Sequence, residues 1–243
     1  MSRKKLGISI TIFSILVILV GGYFYVNDYY HVDSNSLSLF TEPNNVEKTE
    51  ENGDYILSVN ETTKGFIFYP GGKVETEAYL PLMNELAAKG VQCILIDMPF
   101  HLAVLDSNAA ETYIQRYSQI KDWYIGGHSL GGAMAASYAA KHHEQLTGLV
   151  LLGAYSTSDL SNTNLEILSL YGSEDKIMNQ QKYQTNKANL SKDFSELVID
   201  GGCHSYFGAY GLQDGDGTPT ISFTQQIDIT VDTILQMIHS NKQ

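Results

Sequence analysis

Gly127-His128-Ser129-Leu130-Gly131 constrains the fold of this chain more than any other stretch, because it turns a strand into a helix in one tight step. Before it, Trp123-Tyr124-Ile125 favours extended backbone. After it, Gly132-Ala133-Met134-Ala135-Ala136-Ser137-Tyr138-Ala139-Ala140 is alanine-rich and reads as helix. So sharp a turn needs small flanking residues and leaves the serine hydroxyl exposed at its apex. The serine then lies at a helix N-terminus, where N–H groups and the helix dipole favour a developing negative charge.

The chain around this turn alternates strands with helices. The pattern predicts strands over residues 55–59, 65–69, 91–97, 123–126, 147–152, 166–171 and 196–199. It predicts helices over 77–89, 111–121, from 130 to near His142-His143, over 180–190 and over 227–240. Strands that are apolar throughout and alternate with helices imply a mostly parallel central sheet with helices on both faces, an α/β fold. Ligands in such a sheet bind outside the carboxyl ends of the strands. Ser129, Asp175 and His204 each follow a strand there, in the order serine, acid, histidine. Asp159 and Glu174 stand nearby as alternative acids. Cys203 adjoins His204, but nothing around it forms a turn like that at Ser129.

These pieces resemble the α/β-hydrolase superfamily, and within it the small lid-less group that includes the dienelactone-hydrolase-like proteins. The resemblance covers about residues 54–240. It rests on Phe68-Tyr69-Pro70-Gly71-Gly72-Lys73-Val74, Asp97-Met98-Pro99-Phe100, Gly127-His128-Ser129-Leu130-Gly131-Gly132, Tyr171-Gly172-Ser173-Glu174-Asp175 and Gly201-Gly202-Cys203-His204. It implies an α/β-hydrolase fold with Ser129 as nucleophile, Asp175 as acid and His204 as base. The oxyanion hole falls to the backbone N–H of Leu130 and one from the loop after 65–69, with Gly72 preferred over Lys73. The implied activity is carboxylesterase-like cleavage of a small-molecule ester or related acyl bond through an acyl-enzyme, with no cofactor and no metal. A hydrolase-like domain that binds a surface ligand without catalysis is the alternative. Only about a dozen residues join the strands at 147–152 and 166–171, so no helical cap is expected and the site should be open. Phe100, Tyr155, Tyr206 and Phe207 are its candidate lining aromatics.

Residues 6–26 carry no charged side chain, follow Arg3-Lys4-Lys5 and precede Tyr29 and Tyr30. Twenty-one residues of helix reach roughly 30 Å, a bilayer's hydrocarbon thickness. The expected domains are therefore a signal-anchor at 1–26, a linker at 27–53 with a short strand at 36–40, and a catalytic domain at 54–243. The positive-inside rule places that domain outside the cell membrane. A cleaved secretory signal is the rival.

The chain's net charge is −12, and setting aside Arg3, Lys4 and Lys5 leaves −15 on residues 6–243. So acidic a surface excludes nucleic acid as a partner. Cys93 and Cys203 belong to opposite sides of the expected sheet, so two free thiols are expected. Asp214-Gly215-Asp216-Gly217 lacks the closing acid of a calcium loop and reads as a turn at the rim of the site.

Overall fold

A computed structural model describes residues 3–192 and 194–240, with side chains described from residue 10 apart from residue 193 and the last three. The side chains of the basic cluster at 3–5 lie outside the described residues. The sheet has eight strands: β1 Glu47–Glu51, β2 Asp54–Ser58, β3 Lys64–Tyr69, β4 Gln92–Leu95, β5 Asp122–His128, β6 Gly148–Leu152, β7 Glu166–Gly172 and β8 Phe194–Ile199. Their spatial order is β1-β2-β4-β3-β5-β6-β7-β8. β2 runs antiparallel to both its neighbours, and from β4 to β8 every pair is parallel. The expected α/β-hydrolase architecture is present.

Side-chain alternation divides the core in two. Phe66 and Phe68 of β3 point to one face, where α3 (Leu80–Ala88) supplies Leu82 and Leu86 and α7 (Phe223–His239) supplies Ile227 and Ile234. Ile67 and Tyr69 point to the other, against Tyr113 of α4 (Ala110–Arg116) and Ala135 and Ala136 of α5 (Leu130–His142). Each fully buried leucine, isoleucine or phenylalanine among these contributes about 2 kcal/mol from desolvation. α6 (Gln180–Asn186) packs Tyr183 edge-on against Tyr171 of β7.

Strand register positions the site. Tyr69 pairs with Gly127, so the loop after β3 leaves the sheet beside the turn after β5. Gly172 pairs with Ile199, so the loops carrying Asp175 and His204 also leave side by side.

Several boundaries differ from expectation, each for a local reason. Residues 36–40 form no strand: Asp33 caps a single turn, α2 (Ser34–Leu37), by accepting from the N–H groups of Asn35 and Ser36. The 27–53 segment is more than a linker, since it contributes β1. The left-handed pair Asn52-Gly53 (φ 55° and 93°) turns β1 back onto β2. The helix expected over 111–121 stops at Arg116, where Tyr117 leaves helical backbone. The last helix begins four residues early, because Ser222 and Gln225 form a capping box.

At the N-terminus, α1 (Arg3–Asn27) is apolar along Ile10–Asn27, with mean hydropathy 2.0, and none of that stretch is buried. Its 25 residues span about 37 Å. It is a possible membrane span.

Candidate active site

Ser129 joins β5 to α5 in a strained conformation, φ 52° and ψ −118°. Left-handed φ at a residue with a side chain is costly and persists only where the surroundings enforce it. Here Ser129 N–H donates to the Leu152 carbonyl at 2.9 Å. The turn also brings α5 against the loop after β3. A Cβ on Gly131 would lie 2.1 Å from the Tyr69 carbonyl oxygen and 2.2 Å from that of Pro70. Both obstacles are backbone and cannot swing aside. Gly131→Ala is therefore expected to cost about 3 kcal/mol, seen in thermal unfolding as a Tm lower by roughly 6–12 °C for a chain of this size.

His204 and Asp175 lie fully inside the protein, with Nδ1 and Oδ2 2.8 Å apart. The other carboxylate oxygen, Oδ1, accepts from the N–H groups of Ile177 (2.9 Å) and Met178 (2.8 Å). A carboxylate so occupied accepts the Nδ1 proton and leaves the Nε2 lone pair of His204 bare. Nε2 has no hydrogen-bond partner among the described residues. His204 lines a cleft of about 290 Å³ together with Ser129, Leu130, Tyr155, Ile177 and Met178. Asp159 is exposed and holds Ser161 in a turn, while among the described residues the Glu174 side chain bonds to Ser173 alone. Of the three acids, Asp175 is the one paired with His204 among the described residues.

The loop after β3 packs on the start of α5: a Cβ on Gly72 would meet Leu130 Cδ2 at 2.8 Å. Gly71 N–H donates to Tyr79 Oη (3.0 Å) and Lys73 N–H to the His101 carbonyl (2.8 Å). Gly72 N–H and Leu130 N–H carry no hydrogen bond among the described residues.

Tyr79 Oη accepts from Gly71 N–H and is also hydrogen-bonded to His128 Nδ1 at 2.9 Å. His128 is neutral there. Burial first, and then the His204 ring 4.4 Å away, hold its pKa well below the ordinary 6.5. The sign follows: below about pH 6.5 unfolded His128 takes up a proton that the folded chain refuses, so stability falls as pH falls. Its full share, up to about 1.4 kcal/mol per pH unit, is expected to vanish in His128→Gln. Urea unfolding of both proteins from pH 7.5 to 5 measures this; parallel curves would refute it.

Two further clasps hold the His204 loop, and neither leaves a sequence period. Asp216 accepts from Ser205 N–H (2.8 Å), Ser205 Oγ (2.7 Å) and, across to the Asp175 loop, Lys176 N–H (3.3 Å). Burial alone would raise its pKa, but these bonds outweigh it and hold the pKa below the usual carboxylate value. Its oxygens serve the loop, as expected of a turn. Gln226 of α7 accepts from Cys203 N–H (2.9 Å) and donates to the Cys203 carbonyl (2.8 Å). Cys203 itself is buried and, like Cys93, a free thiol.

Of the four aromatic candidates, only Tyr155 lines the cleft. Tyr206 packs edge-on against Phe223, Phe207 is buried beside His128, and Phe100 points into solvent. Residues 153–165 hold no helix, so the cleft opens directly to solvent. Among the described residues no three His, Cys, Asp or Glu side chains gather as a metal site would need.

A mostly parallel sheet with a strained serine turn and a buried acid–histidine pair at its carboxyl end defines a hydrolase-type α/β protein. A predicted CIB-like hydrolase from Thermoplasma acidophilum has the same fold, with a TM-score of 0.55 at 13% identity, over 78% of this chain and 98% of its own. No curated protein matches the sequence. The family model described as alpha/beta hydrolase family matches residues 65–228, and the chain belongs to that family.

Proposed function

We propose that the protein is a carboxylesterase-like serine hydrolase, with Ser129 as nucleophile, His204 as general base and Asp175 as the acid that orients it. Ser129 Oγ attacks the acyl carbonyl as its proton passes to His204 Nε2. The N–H groups of Leu130 and Gly72 receive the oxyanion. Collapse expels the alcohol, which takes the proton from His204. Water then gives a proton to His204, attacks the acyl-enzyme, and releases the carboxylic acid as Ser129 regains its hydrogen.

The observation that carries this reading is the unpartnered Nε2 of His204, a residue that lines the same cleft as Ser129 and is fixed by the 2.8 Å bond between Nδ1 and Asp175. The bound N–H groups of Gly71 and Lys73 favour Gly72 as the second donor. The test is hydrolysis of p-nitrophenyl esters from acetate to octanoate by the full chain in detergent, with fluorophosphonate labelling beside it. Turnover and labelling are expected. A chain that does neither is a non-catalytic binding domain.

The apolar α1 and the basic residues before it support a signal-anchor at 1–26, followed by 27–53 and an outward-facing catalytic domain at 54–243. The chain is expected to stay with membranes through alkaline carbonate extraction, and release of a shortened product would mean a cleaved signal.

A further inference from the structure

The residues that follow α1 are tied into the active-site end of the sheet. Tyr30 N–H donates to the Lys73 carbonyl (2.7 Å) and Glu75 N–H to the Tyr30 carbonyl (2.9 Å), a parallel bridge onto the loop that carries Gly72. Asp28 pairs with Lys73 Nζ at 2.6 Å, and that ammonium lies 4.7 Å from the Tyr25 ring. The Tyr29 ring stands 4.1 Å from that of His101. Asp33 N–H donates to the Ala209 carbonyl, and Asp214 N–H to Tyr30 Oη, so the His204 loop grips the same segment. Only Asp28 and Tyr29 separate the last residue of α1 from this bridge. Three residue steps reach at most about 11 Å.

The loops at that end expose apolar side chains. Outside α1, the exposed large hydrophobics among the described residues are Leu39, Phe100, Val104, Leu105, Val198, Leu212 and Ile229. Three of these seven fall in the loop after β4 and one in the His204 loop, so the apolar surface gathers where α1 arrives. Phe100 is 61% exposed and held at φ 55°, ψ 29°, a left-handed conformation that a bulky residue avoids. Its neighbour His101 (φ 56°) is fixed alike, and its carbonyl accepts from Lys73 N–H. Single exposed apolar side chains need no explanation, but a strained loop that presents three within six residues does. Lipid supplies the apolar surroundings that water denies them.

We infer that the carboxyl end of the sheet lies against the bilayer that α1 spans, and that its substrate is an amphipathic acyl ester resident in that membrane. The acyl chain stays in the lipid while the ester enters the shallow cleft at Ser129. The substrate half rests on Ser129 acting as the nucleophile, and the orientation half on α1 spanning the membrane.

Because both native thiols are buried, a cysteine introduced on the surface can be labelled selectively. The full chain is reconstituted in phosphatidylcholine vesicles, a zwitterionic lipid that does not repel an acidic domain. It carries bimane at Val104→Cys, at Leu212→Cys or, beyond the opposite end of the sheet, at Asn60→Cys. Spin-labelled phosphatidylcholine is expected to quench the first two positions and spare the third. Equal quenching at all three, or none at Val104→Cys, overturns the orientation. In the second arm Phe100→Ser/Val104→Ser/Leu105→Ser is expected to lose roughly tenfold or more in turnover of a long-chain umbelliferyl ester held in the vesicles. Its hydrolysis of p-nitrophenyl acetate in water should not change. Unchanged turnover of the vesicle ester overturns the substrate class. Failure of the parent chain on both esters sinks the role of Ser129 instead, while the quenching still reports orientation.

Discussion

Ser129→Ala is expected to lower kcat/KM on p-nitrophenyl acetate by roughly 10³-fold or more and to abolish fluorophosphonate labelling. The alanine removes the only atom that bonds to the acyl carbon, while Leu130 and Gly72 still present their N–H groups. What survives is the background rate of an ester held in an oxyanion cradle. The variant should keep its stability, because the hydroxyl of Ser129 makes no hydrogen bond among the described residues. His204→Ala should lose a comparable factor, since the two groups act as a unit and their losses do not add. A Ser129→Ala protein that retains more than about a tenth of the parent rate would refute the assignment of the nucleophile.

Asp175→Asn should be nearly as damaging, at about 10³- to 10⁴-fold, although it removes one charge and almost no volume. The N–H groups of Ile177 and Met178 hold Oδ1, so the amide oxygen of an asparagine stays with them. Its NH₂ then faces His204 Nδ1. That nitrogen must accept, the proton moves to Nε2, and the lone pair that receives the Ser129 proton is gone. The loss should fall on kcat, with KM for a small ester little changed. An Asp175→Asn enzyme with parental kcat would show that the carboxylate does not set the tautomer.

Ser129, Asp175 and His204 could be named as candidates from the sequence because each comes shortly after a strand, and the apolar runs of β5 and β7 announce themselves. Gly72 could be named only as one of two neighbours. What separates it from Lys73 is a hydrogen bond to His101, a residue of another loop, and no pattern along the chain carries that. β1 escaped for a different reason. Its Glu-Lys-Thr-Glu-Glu run lies on the sheet's edge with nearly every side chain in solvent, so no apolar alternation marks it. The Asn52-Gly53 pair was the available signal, since two left-handed residues in a row suit a hairpin turn. Tyr79, Asp216 and Gln226 support the site through bonds to distant backbone, which composition and spacing leave unmarked. Phe100 follows a strand as a lining aromatic should, yet its backbone conformation turns it outward.

The placement of α7 governs how this chain is made. Ile227, Ile234 and Ile238 fill the same core as Phe66 and Leu82, and Lys64 Nζ grips the Ile238 carbonyl across 174 positions. α3 covers part of that face early, but the face is complete only once residue 238 has been synthesised. Until then a growing chain leaves part of it uncovered, with aggregation as the competing fate. A nascent chain arrested before residue 223 would present to chaperones the surface that the finished protein hides.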